Sequence, residues 1–198
     1  ANEKYSTIYY TRCEKTPKTK NDSVWCVIQK TTRSGSRWTK PELVLSSTAG
    51  NVGHPALAAD EITMIFAGSL TGGYGNKDLW MVSRESARKP FQEPVNLGNE
   101  INTSGDELFP FLFDDSTLYF ASDGHGGFGG LDLYVSHRDY AGNWSKPVNL
   151  GAPLNTIADD FGIAFHENDA SKGYFCSNRP DGLGGDDMPG ALEPLRET

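Results

Sequence analysis

The feature that most constrains this chain of 198 residues is that it repeats itself about every 54 residues. The stretch NLGNEINTSGDELFPFLFDDSTLYFASDGHGGFGGLDLYVS aligns with NLGAPLNTIADDFGIAFHENDASKGYFCSNRPDGLGGDDM, apart from a small insertion near His166 to Asp169. The block HPALAADEITMIFAGSLTGGYGNKDLWMVS aligns upstream of both. Four columns of large side chains keep the period. They are Tyr10, Phe66, Phe120 and Phe175; Tyr9, Ile65, Tyr119 and Tyr174; Trp25, Trp80 and Tyr134; and Trp38, Phe91 and Trp144, each of the last set followed three residues later by Pro41, Pro94 or Pro147. A period of this length is the mark of a stacked-repeat architecture.

Within one unit the pattern predicts four short strands. The segments are Phe109 to Phe113, Thr117 to Ala121, Leu131 to Val135 and Trp144 to Leu150, joined by an Asp114-Asp115-Ser116 turn, a Gly-rich loop and an Asp139 to Asn143 turn. No segment keeps a helical period. Four strands per unit predict an all-β chain of β-propeller blades, each a four-stranded antiparallel sheet. One such sheet cannot bury both faces alone, so the aromatic columns are read as packing between blades. The register predicts a partial propeller of two full blades and two incomplete ones: an incomplete first blade over 1–50 (strands two to four), blades over 51–102 and 103–155, an incomplete last blade over 156–188, and a non-repeat tail over 189–198. The chain is then part of a larger propeller, or is completed by another copy.

The net charge is -8, which disfavours nucleic acid as a partner. The one short basic run, Lys15, Lys18 and Lys20, reads as a solvated hairpin loop. No stretch has the apolar length to span a bilayer, and the polar start Ala1-Asn2-Glu3-Lys4-Tyr5 does not read as a signal peptide. Three cysteines give no framework. Cys13 and Cys26 fall on adjacent strands of one hairpin, so a disulfide is geometrically open to them, but two small hydrophobes is the plainer reading. Cys176 aligns with Ala67 and Ala121, which predicts a buried strand position.

The candidate chemistry is thin. Gly124 to Gly129 matches G-x-G-x-x-G, but a strand follows where the dinucleotide motif needs a helix. With Leu70 to Lys77 and Arg179 to Gly185 it reads as a glycine-permitted hairpin loop. Asp78, Asp132 and Asp187 recur before strand three, and Asp123 and Asn178 in the loop ahead of it. Their carboxylates suit hydrogen bonds to turn amides; calcium held by Asp123 and Asp132 is the alternative. The acidic pairs Asp106-Glu107 and Asp159-Asp160 recur in register before strand one, which argues for a connection between blades rather than for glycoside hydrolysis. The four histidines share no metal spacing, and neither H-E-x-x-H nor G-x-S-x-G is present. No cofactor, no resident metal and no catalytic residue is expected. Binding contacts are expected at loop tips: Asp123, His125, Phe128, Asn178 and Arg179, with His125 beside Phe128 as the main exposed pair.

The block FASDGHGGFGGLDLYVS, the run W-x-K-P-V-N-L-G, the run N-T-x-A-D-D-F-G and the block GYFCSNRPDGLGGDDM together resemble the WD-like propeller repeats of TolB type. The resemblance is nearest to the version in Bacteroidetes envelope proteins with an OmpA-like peptidoglycan-binding domain, the PorE-like proteins of the type IX secretion system among them. It covers residues 50–188 well and 5–50 loosely. It implies a periplasmic, outer-membrane-associated scaffold that is not an enzyme, whose partners are envelope proteins. Any contact with peptidoglycan would go through a domain outside this sequence. The tail after Met188 departs from the pattern, since a third strand is expected there. The competing expectations are a glycan-binding or glycoside-hydrolysing propeller and the gating propeller of a larger hydrolase.

Overall fold

The computed structural model describes residues 6–15, 24–166, 169–180 and 185–188. The tail, most of the basic hairpin loop, and the centre of the Arg179 to Gly185 loop lie outside the described residues. Among the described residues there is no helix, and every sheet is antiparallel.

The first sheet holds β1 (Thr7–Lys15) and β2 (Val24–Ser34), with β3 (Arg37–Trp38) and β4 (Glu42–Leu45) both pairing with β2. The second runs in the order β5 (Val52–Leu57), β6 (Thr63–Gly68), β7 (Asp78–Ser83) and β8 (Val95–Asn96). The third repeats it with β9 (Glu107–Leu112), β10 (Thr117–Ser122), β11 (Asp132–His137) and β12 (Val148–Asn149). The fourth is β13 (Asp160–His166) on β14 (Asp169–Ser177), with an isolated bridge from Ser177 to Asp187. Asp187 thus meets Ser177 as Asp132 meets Ser122 and Asp78 meets Gly68. The fourth strands are shorter than the pattern predicts: Trp144 makes only an isolated bridge to Arg138 before Val148–Asn149.

The sheets stack face to face. β10 shows why its sequence is apolar without alternation, since a strand covered on both sides needs no polar face. Leu118 and Phe120 pack against Ile65, Ala67 and Leu79 of the second sheet, while Tyr119 and Ala121 pack against Ile163 and Phe175 of the fourth. Met64, Phe66, Trp80 and Val82 turn the other way, onto Ile28 of the first sheet. Phe66 and Phe120 are fully buried, each contributing about 1.5–3 kcal/mol by leaving water. The opening strands β5, β9 and β13 lie side by side along one edge of the stack. Each carries a bulge with a positive-φ residue: His54 (φ 49°), Phe109 (φ 51°) and Gly162 (φ 64°).

Three expectations need correction. The Trp25 column is misaligned, because Phe66 pairs with Trp80 and Phe120 with Tyr134, but Tyr10 pairs with Gln29. Trp25 sits opposite Glu14, four residues nearer the hairpin tip, because the longer β1 and β2 displace the register. Cys13 and Cys26 are directly opposite and form a disulfide. Cys176 is half-buried rather than buried, because it faces away from the third sheet on the stack's last described face, where Tyr174 is also 49% exposed.

Candidate interaction face

The loops between strands two and three, and the connections that enter the next sheet, meet at one end of the stack. In the second and third sheets this loop is built on one aspartate. Asp78 accepts the N–H groups of Tyr74 (2.6 Å) and Gly75 (2.9 Å) and the Asn96 amide (2.7 Å). Asp132 accepts the N–H of Phe128 (2.6 Å) and, more distantly, the Asn149 amide (3.4 Å). These carboxylates hold turn amides, as expected of a short acidic side chain at a tight loop.

The loop of one sheet then latches onto the strand that opens the next. Glu107 N–H donates to Lys77 O (2.7 Å) and Asp160 N–H to Leu131 O (2.7 Å). Glycine permits the approach: a Cβ on Gly75 would lie 2.1 Å from Gly105 O, and one on Gly129 2.3 Å from Ala158 O. Lys77 Nζ pairs with Asp106 Oδ2 at 2.6 Å, and Leu131 N–H donates to Asp159 Oδ1 at 2.9 Å. The acidic pairs thus form the blade-to-blade connection. Their second members are fully buried hubs. Glu107 accepts from Thr103 N–H (2.9 Å), Thr103 Oγ1 (2.6 Å) and Ser122 Oγ (2.8 Å). Asp160 accepts the equivalent three from Thr156 and Ser177, and Arg179 Nη2 at 2.9 Å. Just before each hub a buried asparagine imitates a strand. Asn102 exchanges bonds with both backbone groups of Leu79 (2.7 and 3.0 Å), and Asn155 does so with Leu133 (2.8 and 2.9 Å).

The structure separates the five loop residues singled out from the sequence. Asp123 is exposed, with Oδ1 accepting the Asp106 N–H at 2.7 Å. Asn178, its counterpart, bonds both the N–H and the carboxylate of Asp159 (2.8 Å each). Arg179 reaches Asp160, Ser177 Oγ and Leu154 O, and lies 5.0 Å over the Phe175 ring. His125 folds inward: its Nε2 lies 2.7 Å from Ile101 O, and its ring packs on Phe120 (5.9 Å) and Tyr134 (5.2 Å). Phe128 alone projects as an apolar tip, 55% exposed. His125 and Phe128 therefore do not form one exposed pair. For calcium, Asp123 and Asp132 serve different networks, and among the described residues no three acidic, histidine or cysteine side chains converge as a cation site.

Two features escape the sequence reading. Tyr74 occupies the place of Phe128, pinned by Asp78 as Phe128 is by Asp132, and it is 54% exposed. In the second and third sheets the face thus shows one aromatic ring on a loop whose backbone is fixed by an aspartate. Their equal distance from the following aspartate was the available signal. The second feature lies along the edge of the opening strands. His54 N–H donates to Thr11 Oγ1 (2.8 Å), its Nδ1 accepts the Phe109 N–H, and its ring stacks on Phe109, which in turn lies 4.8 Å from Phe161. Contacts therefore run through all four sheets. Burial, and secondarily the charge of Lys77, hold the His54 imidazole below its usual pKa. His54-Pro55 and Phe109-Pro110 mark this position in the sequence.

No family model matches the chain, and no curated protein sequence matches it. Solved structures do. It is similar to an α-L-arabinofuranosidase from Lactobacillus brevis (TM-score 0.55, 12% identity, covering 90% of this chain and 64% of that one). It is similar to TolB from Acinetobacter baumannii (TM-score 0.51, 16% identity, 93% and 41%). It is also similar to a puromycin-hydrolysing peptidase from Mycobacterium tuberculosis (TM-score 0.51, 12% identity, 91% and 26%). The chain spans less than two thirds of each of these proteins. At such identities the likeness concerns fold alone. With its antiparallel sheets stacked but not closed into a ring, the chain is a partial β-propeller.

Proposed function

We propose that this chain is a non-catalytic propeller scaffold of the bacterial envelope, mediating protein interactions in the periplasm at the outer membrane. On this reading it belongs to a larger PorE-like protein associated with peptidoglycan or secretion, and envelope proteins are its partners. The sequence resemblance supports the setting. The observation that carries the interaction role is the pair Tyr74 and Phe128, more than half exposed on loops whose backbones are fixed by Asp78 and Asp132. Rigid aromatic anchors of this kind lose little entropy on binding and dominate interface energetics. Asp123 is exposed at the start of the Phe128 loop, while His125, Asn178 and Arg179 brace the loops from within. The recurring carboxylates of Glu107 and Asp160 are committed to internal donors, which supports a structural role for them.

The same rings favour a second reading, a glycan-binding propeller, because exposed aromatic faces also stack on sugars. A pull-down from periplasmic extract with this chain, beside one carrying Tyr74→Ser and Phe128→Ser, separates the two. Retention of envelope proteins that the double variant loses supports the scaffold. A bound sugar panel with no retained protein overturns it.

A further inference from the structure

The column Tyr9, Ile65, Tyr119 and Tyr174 is tyrosine in three sheets and isoleucine in the second. Between the first and second sheets, the Tyr9 hydroxyl accepts from Arg84 Nη2 at 3.3 Å. Arg84 is 6% exposed, donates from Nε to Glu61 O at 2.7 Å, and lies 4.4 Å over the Phe91 ring. Arg138 holds the same place in the third sheet, with Trp144 where Arg84 has Phe91. It faces Ile65, which offers no oxygen. Its guanidinium turns instead to Gly142 O (3.0 Å), lies 5.8 Å from the Trp144 ring, and has no other acceptor among the described residues. In the second interface a cleft of about 130 Å³ lies beside the fully buried Ile65. Ile65, Met81, Leu112 and Trp144 supply its apolar lining, and Asp60, Thr63, Asp115 and Arg138 its polar lining.

We propose that this cleft binds a phenolic ring. An enclosed apolar cavity of about 150 Å³ holds one benzene ring; this cleft, about 130 Å³ and open on one side, is of the size of one ring and no more. Its lining is part apolar and part polar: Ile65, Met81, Leu112 and Trp144 suit a ring, and the Arg138 guanidinium and the Asp115 carboxylate offer a donor and an acceptor to one hydroxyl, while Asp60 is held by the N–H groups of Ile62 and Thr63. The ligand takes the position of the absent tyrosine. The inference rests on the contrast between two interfaces of the same stack and is independent of the loop face.

Titration of the chain with p-cresol and with toluene, followed by the Trp144 indole and Ile65 methyl NMR signals, tests it. p-Cresol is expected to bind at the cleft, and toluene about tenfold more weakly, because it forgoes a hydrogen bond to a charged group. Ile65→Tyr fills the cleft from within and is expected to abolish p-cresol binding. Arg138→Met leaves the walls in place and is expected to bring p-cresol down to the affinity of toluene. N-acetyltyrosinamide distinguishes the sources: binding comparable to p-cresol assigns the site to tyrosine side chains, and binding of p-cresol alone assigns it to free phenols. Absence of p-cresol binding, or an affinity unchanged by Arg138→Met, overturns the proposal.

Discussion

The imidazole of His54 lies 4.1 Å from the ring of Phe109 at an interplanar angle of 13°, and its Nδ1 accepts the Phe109 N–H at 3.3 Å. Both residues occupy the positive-φ position of their strand, a conformation a bulky side chain adopts only where its surroundings hold it. The hydrogen bond needs an unprotonated Nδ1.

That requirement gives a pH dependence. Burial and Lys77 lower the pKa of folded His54 from 6.5, so the unfolded chain binds the proton more readily than the folded one. The contribution is complete above about pH 6.5 and is lost as pH falls from there through the lower folded value. Urea denaturation at pH 7.5 and pH 5 should show a fall in stability that His54→Asn makes shallower. An identical fall in both proteins would rule out His54 as its source.

Glu107 accepts three hydrogen bonds while fully buried. Glu107→Ala leaves those donors without an acceptor and should cost roughly 3 kcal/mol. Glu107→Gln keeps an oxygen and should cost less. Denaturant midpoints measure both, and a loss under about 0.5 kcal/mol for the alanine variant would contradict the hub.

The Cys13–Cys26 bridge closes a loop with a sequence separation of 13. A closed loop of that size constrains the unfolded chain by about 3 kcal/mol. The double variant Cys13→Ser, Cys26→Ser should unfold at correspondingly lower urea, and dithiothreitol should shift the parent protein but not the variant.

Gly129→Ala should destabilise by about 1–3 kcal/mol, since its Cβ would press on the backbone of Thr156 to Ala158, the connection that enters the fourth sheet. Gly72→Ala, with no atom within 4 Å of its Cβ, meets only the strain of its φ of 90°. Thermal unfolding of the two variants separates crowding from backbone strain.

Tyr74→Ser and Phe128→Ser remove rings that stand in solvent. Each should leave stability within about 0.5 kcal/mol. A larger loss would mean that the rings serve the fold rather than a partner.

The architecture was legible because burial on both faces forces apolar runs, and stacking forces them to recur. Phe66, Phe120 and Phe175 could be assigned from spacing alone. Trp25 could not, because the longer first hairpin displaces the register and a tryptophan still falls near the expected spacing. His125 looked like a free tip because its neighbours are glycines; the contact with Ile101 O that draws it inward joins residues 24 apart. Tyr74 was hidden for the opposite reason: an aromatic in a chain of aromatic columns reads as core. The disulfide depended on register, which places Cys13 directly opposite Cys26 and cannot be read from two isolated cysteines.

Asn102 is bonded to the second sheet, and its neighbour Thr103 to the hub of the third; Asn155 and Thr156 repeat the arrangement one sheet further on. Allegiance passes across a single peptide bond, so the junctions have no slack. Extra residues inserted in the outer turns around Asp139 would be absorbed where they lie. Even one residue added between 102 and 103 would set neighbouring sheets at odds, and the array should tolerate variation at its rim and refuse it at its seams.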